Sequence, residues 1–321
     1  MNLSLTIESL AELVRAEDFT AIYDAADKVR KAHKGDFVDI RALLEFSNVC
    51  RCDCNYCGLR ASNQNCHRFR MTPEEMIETA YAAADAGYKT IVMQSGEDPY
   101  YTKEMLGDIV REIKKTGMAV TLSCGERDEA DYAYWRSCGA DRYLMKHETA
   151  DADLYAALHP GHTLKTRVDK LKLIKSVGYE TGSGFMIGIP GQTAETIAKD
   201  LLLLKEIGCD MAGIGPYIPH PDTPMKACEK GSTELTMRAV ALARLILPDA
   251  NLPATTALGV IDASDKRSVF DRGANVVMRK VTPDAYKQFY EIYPAKFGKT
   301  DVKADRRQLE DEIRALGRIP R

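Results

Sequence analysis

The chain has 321 residues, of which 45% are hydrophobic, and its formal net charge is −3. This length suits one large α/β domain with a sizeable core. Basic and acidic residues are interspersed, without the basic stripe of a nucleic-acid-binding surface, and no apolar run is long enough to span a membrane. The start of the chain does not resemble a signal peptide, so the nine cysteines indicate a reducing cytoplasm, where clustered thiols serve as metal ligands or reactive groups.

A repeated pattern predicts the architecture between N-terminal helices in residues 1–35 and a helical extension in residues 281–321. From residue 36 to 280, amphipathic helical stretches end in a glycine, and a short apolar run follows each glycine. Each glycine lies where the end of a helix needs a left-handed residue. These glycines are Gly87, Gly117, Gly139, Gly178, Gly208 and Gly273.

The six apolar runs, with the stretches that begin at Val38 and Leu252, give eight strand candidates that alternate with helices. This order predicts a single (β/α)8 TIM-type barrel, with function at the C-terminal ends of the strands. An open doubly wound sheet is the alternative.

The first strand candidate leads directly into a cysteine-rich loop, EFSNVCRCDCNYCGLR. Cys50, Cys54 and Cys57 form a C-x3-C-x2-C motif, with Tyr56 before the last cysteine. Three thiolates can bind three irons of a 4Fe–4S cluster. The fourth iron is then open to the amino and carboxylate groups of S-adenosylmethionine (SAM), whose reductive cleavage yields a 5′-deoxyadenosyl radical.

Two other interpretations of these cysteines stay open. A structural zinc site could use Cys54 and Cys57, although such sites usually have a second ligand pair of similar spacing, and the remaining cysteines are scattered singly. The thiols could also bind no metal. Cys52 lies between the ligands, where a C-x-C pairing is compatible with the spacing, and we interpret it as a spectator.

The cysteine motif and its aromatic residue resemble the radical SAM superfamily. Longer stretches resemble, in the same order, the HydE family of FeFe-hydrogenase maturases, and they extend over most of residues 36–295. These stretches include MQSGEDPYY, VTLSCGE, ADRYLMKHETA, GYETGSGFMIGIPGQT, DMAGIGPYIPHPDTP, LPATTA and GANVVM.

This resemblance implies an enzyme that cleaves SAM during assembly of the diiron subcluster of FeFe-hydrogenase. It implies a small, possibly organometallic iron substrate, an electron donor such as ferredoxin or flavodoxin, and other hydrogenase maturases as partners. The alternatives are an enzyme like methylornithine synthase or biotin synthase, and a non-catalytic iron–sulfur or zinc scaffold. No cysteine follows Cys228, so a second cluster, and with it sulfur insertion, is not expected.

Several residues are candidates for binding SAM. Gly96 and Glu97 end the second strand candidate, where glycine permits close backbone approach and a carboxylate can receive an ammonium group. Glu148 ends the fourth, and Arg167 on the next helix offers a planar partner for a carboxylate. With these, the resemblance implies the following cofactor contacts: Tyr56, Gln94, Gly96, Glu97, Glu148, Arg167, Met186, Tyr290 and Tyr293.

The resemblance also implies a substrate pocket deeper in the barrel, formed by Thr121, Lys146, Thr255, Thr256 and Met278. Thr255 and Thr256 are consecutive in the seventh strand candidate, so only one should face the interior unless the strand bends. Lys146 replaces the arginine common in the family, and Arg279 and Lys280 add positive charge near the pocket, which leaves the substrate's identity open.

Overall fold

The computed structural model describes residues 5–261, 268–295 and 298–321. The strands are β1 (Phe37–Ser47), β2 (Thr90–Ser95), β3 (Ala119–Ser123), β4 (Arg142–Leu144), β5 (Glu180–Ile187), β6 (Met211–Pro216), β7 (Pro253–Ala254), β8 (Val276–Lys280) and β9 (Ile319–Pro320). The helices are α1 (Ile7–Arg15), α2 (Thr20–Lys34), α3 (Pro73–Asp85), α4 (Lys103–Lys114), α5 (Glu129–Ser137), α6 (Ala152–Leu158), α7 (Leu164–Ser176), α8 (Ala194–Ile207), α9 (Thr233–Ile246), α10 (Thr256–Ile261), α11 (Asp284–Lys287) and α12 (Val302–Ala315).

The first eight strands form a parallel sheet in the order β6-β5-β4-β3-β2-β1-β8-β7. A bridge between Met211 and Asn251 connects the two ends of this order, so the barrel is nearly closed. The prediction of a TIM-type barrel is therefore confirmed, and the open doubly wound sheet is wrong. In the described part of the chain, no helix has both the length and the apolar composition needed to cross a membrane.

Local sequence signals explain where the helices begin and end. Thr72 and Glu75 form a reciprocal capping box at the start of α3, and Pro73 occupies the first turn, where its missing N–H costs nothing. All six glycines predicted to follow helices have a positive φ, between 67° at Gly208 and 112° at Gly273. The positive φ values confirm the prediction of left-handed residues. A residue with a Cβ would strain the backbone at these positions.

Two segments differ from the sequence-based expectation. Strand β7 ends at Ala254 and α10 begins at Thr256, so the alternation of strand side chains does not extend to Thr255 and Thr256. The expectation that only one of these threonines faces the interior applies to a strand that does not bend. Because the strand ends before them, both border the barrel cavity. At the C-terminus, the predicted helical extension contains α11 and α12, but it is followed by β9, which pairs with the start of β1.

Candidate active site

The predicted cluster ligands lie on the loop between β1 and α3, at the C-terminal end of the barrel. Backbone bonds fix this loop to two distant segments: Asn55 N donates to Leu158 O and Gly58 N donates to Ile292 O, both at 2.9 Å. A Cβ on Gly58 would lie 2.2 Å from Glu291 O, so only glycine permits this approach. The loop is therefore held in place by packing around its cysteines.

The thiols of this loop form a sulfur-only donor set. Glu97 N donates to Cys50 Sγ at 3.3 Å, and a hydrogen bond with Cys52 lowers the pKa of Cys50 to about 7. Burial raises the pKa of Cys54 to about 12. Within the described residues, no three His, Cys, Asp or Glu side chains converge as around a single metal ion. A 4Fe–4S cluster does not need three ligands around one ion, because each thiolate binds a different iron. Three thiols on one loop therefore fit such a cluster.

The predicted SAM-binding residues after β2 contact the cysteine loop. A Cβ on Gly96 would lie 2.3 Å from Val49 O, so this glycine permits close packing of the two loops. The Glu97 carboxylate accepts from Arg51 Nε and from Glu126 N, each at 2.7 Å. Gly96 and Glu97 thus lie beside the loop but do not border the cavity, and their contact with SAM stays a prediction.

Asp98, the last residue of the GED motif, has a structural role. It is completely buried, and it accepts hydrogen bonds from Ser47 Oγ and Arg70 Nε, both at 2.7 Å. Although burial raises its pKa, the bonds from Arg70 and Ser47 hold the pKa of Asp98 below its usual value. The motif therefore combines a buried anchor with two residues next to the cysteines.

A cavity of about 360 Å³ occupies the upper part of the barrel below the cysteine loop. Thr121 lies outside the lining, two residues before the bordering Ser123 on the same face of β3, and its buried Oγ1 has no hydrogen-bond partner. The cysteines also lie outside the lining. The predicted residues that border the cavity are Tyr56, Gln94, Lys146, Glu148, Arg167, Met186, Thr255, Thr256, Met278, Tyr290 and Tyr293.

Two ion pairs lie at one side of this cavity. Lys146 Nζ is 2.8 Å from Glu148 Oε2, and Arg167 Nε is 2.7 Å from Glu126 Oε1. Arg167 also donates to Lys146 O at 2.9 Å. Arg167 is on α7, and not on the helix directly after β4 as predicted, because the short α6 intervenes. These side chains can bind the ammonium and carboxylate groups of an amino acid.

Aromatic side chains complete the upper wall. The hydroxyl of Tyr56 is 3.2 Å from His159 Nε2, and the His159 ring stacks on Tyr155 with 4.2 Å between centroids. Tyr290 forms a hydrogen bond with Gln94. Burial raises the pKa of Tyr56 and Tyr290 well above the usual value, so both hydroxyls stay protonated.

The sequence interpretation missed a buried charge that pairs with Lys280 in the cavity wall. Lys280 Nζ is 2.8 Å from Glu45 Oε1, and Glu45 is 4% exposed. Burial raises the pKa of Glu45 to about 7, although Lys280 opposes this shift. A glutamate that directly follows the apolar run Ala42–Leu44 of β1 was the available signal, because a buried charge normally has a partner.

A thiol triad after the first strand of a parallel barrel, above a cavity, is typical of a radical SAM enzyme, and the Radical SAM superfamily model matches residues 44–204. The FeFe hydrogenase maturase subunit HydE of Thermotoga maritima is 52% identical over 276 residues, which cover 86% of this chain and 79% of that protein. The chain therefore belongs to the radical SAM superfamily and, within it, to the HydE family. Its cofactors are accordingly a 4Fe–4S cluster and SAM.

Two further comparisons concern methylornithine synthases. The 3-methylornithine synthase of Methanosarcina acetivorans is 30% identical over 282 residues, which cover 87% of this chain and 79% of that protein. The crystal structure of methylornithine synthase (PylB) matches with a TM-score of 0.89 and 26% identity, covering 99% of this chain and 94% of that chain. The prediction of a radical SAM enzyme is confirmed by these similarities together with the family match.

Proposed function

We propose that this chain is a maturase that cleaves SAM reductively during assembly of the diiron subcluster of FeFe-hydrogenase. The observation that carries the proposal is the cavity of about 360 Å³, whose lining joins the residues predicted to bind SAM to those predicted to bind substrate. The 52% identity to HydE of Thermotoga maritima supports this particular pathway.

Different residues of the chain would bind the cluster and position SAM. When bound by Cys50, Cys54 and Cys57, a 4Fe–4S cluster supplies the electron that breaks the C5′–S bond of SAM. Glu148 receives the ammonium group of the cofactor, and Arg167 receives its carboxylate, because these side chains carry the complementary charges at the cavity wall. Both contacts would hold the amino-acid end of SAM at the cavity wall.

Apolar side chains in the cavity wall would limit the access of water to the reacting atoms. Leu43, Leu144 and Met211 are apolar members of the lining, and a dry cavity prevents a reactive intermediate from reacting with solvent. Thr255 and Thr256 offer hydroxyl groups to a substrate at the far end of the cavity. A small substrate, for which we favour an organometallic iron complex, therefore binds below SAM.

We assign the electron donor to the ferredoxins or flavodoxins, the partners to the other hydrogenase maturases, and the location to the cytoplasm. The support is chemical, since a reducing compartment keeps the nine cysteines as thiols. The similarity to methylornithine synthase, with a TM-score of 0.89 over 99% of the chain, favours a second candidate, an amino acid mutase that acts on lysine, the isomer of methylornithine.

The test uses anaerobically reconstituted, reduced protein and a Cys54→Ala control. We expect 5′-deoxyadenosine from the parent protein only, and active hydrogenase when the parent is added to apo-hydrogenase with the other maturases. SAM cleavage without maturation, but with conversion of lysine to methylornithine, would support the mutase instead. A fully loaded cluster that yields no 5′-deoxyadenosine with either substrate would contradict both candidates.

A further inference from the structure

Glu148 has a backbone conformation that is rare for its residue type. In the described ranges 5–261, 268–295 and 298–321, it is the non-glycine residue with a positive φ, which is 64°. A left-handed conformation is unfavourable for a residue with a Cβ and persists only where its surroundings fix it. Because Glu148 borders the cavity, the contacts that hold its backbone also hold its carboxylate at the predicted SAM site.

Strand β5 holds the Glu148 backbone itself. Glu148 N donates to Gly184 O at 3.0 Å, and Met186 N donates to Glu148 O at 3.1 Å. Strand β4, however, ends at Leu144, so the residues on both sides of Glu148 lack a regular ladder. Their conformation therefore depends on side chains that pack behind the barrel wall.

These side chains form a buried polar cluster of His147, Ser183 and Asp200, each completely buried. The Ser183 hydroxyl is 2.9 Å from His147 Nδ1 and accepts from His147 N at 3.2 Å. Asp200 Oδ1 accepts from Ala150 N and lies 3.5 Å from His147 Nε2. The carboxyl group of Asp200 on α8 thus contacts the chain on both sides of Glu148.

The cluster has the composition of a nucleophilic triad, but its location excludes that role. None of the three residues borders the cavity, so none can reach a substrate. Burial lowers the pKa of His147 to about 3 and raises that of Asp200 well above its usual value. His147 is therefore neutral at physiological pH. Its Nδ1 contacts the Ser183 hydroxyl, whereas its Nε2 lies 3.5 Å from Asp200 Oδ1 without forming a hydrogen bond.

We propose that Asp200, through Ala150 and His147, is a positioning residue that fixes the left-handed bend at Glu148 and thereby the amino-acid end of SAM. The inference deepens the proposed function and takes the identity of the ligand from it. Asp200 contacts no ligand, so its removal should displace the Glu148 carboxylate while the cysteine loop stays intact. The cluster should then load normally, and SAM should bind more weakly.

Three variants separate positioning from general stability. Asp200→Leu removes the acceptor while keeping a side chain of similar size, and Asp200→Asn keeps an oxygen that can accept from Ala150 N. Asp210→Leu is the matched control, because the Asp210 carboxylate accepts from Thr181 N at 2.8 Å at the opposite end of β5. Asp200→Leu and Asp210→Leu each remove a side-chain acceptor of a backbone N–H, but only Asp200→Leu does so near Glu148.

The measurements use the full-length, cluster-loaded enzyme under anaerobic conditions. The Kd for SAM is obtained from the change in the electron paramagnetic resonance spectrum of the reduced cluster, and KM and kcat from 5′-deoxyadenosine formation. We expect Asp200→Leu to raise Kd and KM roughly tenfold to hundredfold, as for small displacements of a binding group. We expect Asp200→Asn and Asp210→Leu to change Kd by less than about threefold.

A double-variant cycle tests whether Asp200 acts through Glu148. In a Glu148→Gln background, Asp200→Leu should raise the Kd by less than about twofold, because the carboxylate that it positions is gone. An unchanged Kd in Asp200→Leu alone, or an equal increase in both backgrounds, would overturn the proposal. If Asp200→Leu does not load a cluster, His147→Asn takes its place, with the same expected increase and the same refuting results.

These readouts are independent of hydrogenase maturation. If the parent enzyme binds SAM but matures no hydrogenase, the proposed function fails and the positioning of Glu148 is still measured. If the parent matures hydrogenase and Asp200→Leu binds SAM normally, the positioning inference fails alone.

Discussion

Replacing Lys280 by methionine isolates the buried ion pair in the cavity wall. Lys280 and Glu45 are 13% and 4% exposed, with 2.8 Å between Nζ and Oε1. Lys280→Met keeps the apolar stem and removes the charge, so Glu45 must either remain charged without this partner or take up a proton. Protonation of Glu45 costs less free energy than leaving its charge unpaired, because the pKa of Glu45 is already about 7.

The magnitude follows from the linkage between protonation and stability. Glu45 has a raised pKa in the folded state, so its contribution to stability is fully present below the unfolded value of 4.5 and is lost as the pH rises through about 7. Lys280 lowers the pKa of Glu45. In Lys280→Met this pKa is therefore higher, and the pH range over which the contribution of Glu45 to stability is lost extends further upward. Breaking a buried pair costs about 3–5 kcal/mol when the remaining group stays charged.

The assay is thermal unfolding of the reduced, metal-free protein between pH 5 and pH 8.5. For 321 residues, an unfolding entropy of about 0.7 kcal/mol/K makes a loss of 3 kcal/mol equivalent to ~4 °C in Tm. We expect that decrease at pH 8.5 and less than ~1 °C at pH 5, where Glu45 is protonated in both proteins.

The control for this prediction is Lys165→Met, which removes a pair with Asp169 whose members are 83% and 56% exposed. Such an exposed pair contributes less than about 1 kcal/mol. A loss in Lys280→Met that is the same at both pH values, or no greater than in the control, would refute the reasoning.

Three further predictions concern the cysteine loop. Gly96→Ala places a Cβ 2.3 Å from a carbonyl oxygen of that loop, so we expect this variant to lose most of its bound iron. In the control Gly298→Ala, the added Cβ has no atom within 4 Å, and the variant should bind the normal amount of iron. Equal iron contents in the two variants would contradict this prediction. Cys52→Ala should retain the full iron content while Cys54→Ala loses it, and iron loss in Cys52→Ala would make Cys52 a ligand. Arg68 donates to four backbone carbonyls. Because each bond contributes about 1 kcal/mol, Arg68→Met should speed amide hydrogen exchange in the cysteine loop ~100-fold or more. Unchanged exchange would show that these bonds do not limit local unfolding of the loop.

Signals that act over a few residues made most of the fold predictable. A glycine that needs a positive φ marks the end of a helix wherever it occurs, and Gly87, Gly117 and Gly139 all have one. The cysteine spacing is equally local, so it indicated the cluster loop without any knowledge of the barrel. The short β7 was less predictable, because Thr255 and Thr256 have the β-branched side chains typical of strands, and tertiary contacts override this propensity.

Pairs of residues that are distant in sequence could not be predicted. Glu45 and Lys280 are on strands at opposite ends of the chain, and only the closure of β1 against β8 brings them together. Asp200 likewise looks, from the sequence, like a solvated residue on an amphipathic helix. In the structure it is completely buried, because its partners belong to the loop after another strand.

The cationic side chains that border the cavity each have a carboxylate partner, so the site carries little net charge. The pairs are Lys146–Glu148, Arg167–Glu126 and Lys280–Glu45. The amino-acid end of SAM has both an ammonium and a carboxylate group, and it can join such pairs without leaving an unpaired buried charge. A purely anionic substrate would leave one carboxylate unpaired, which is costly in a low dielectric. Glu45 is the partner best suited to remove this cost, because a pKa of about 7 allows it to take up a proton when an anion binds beside Lys280.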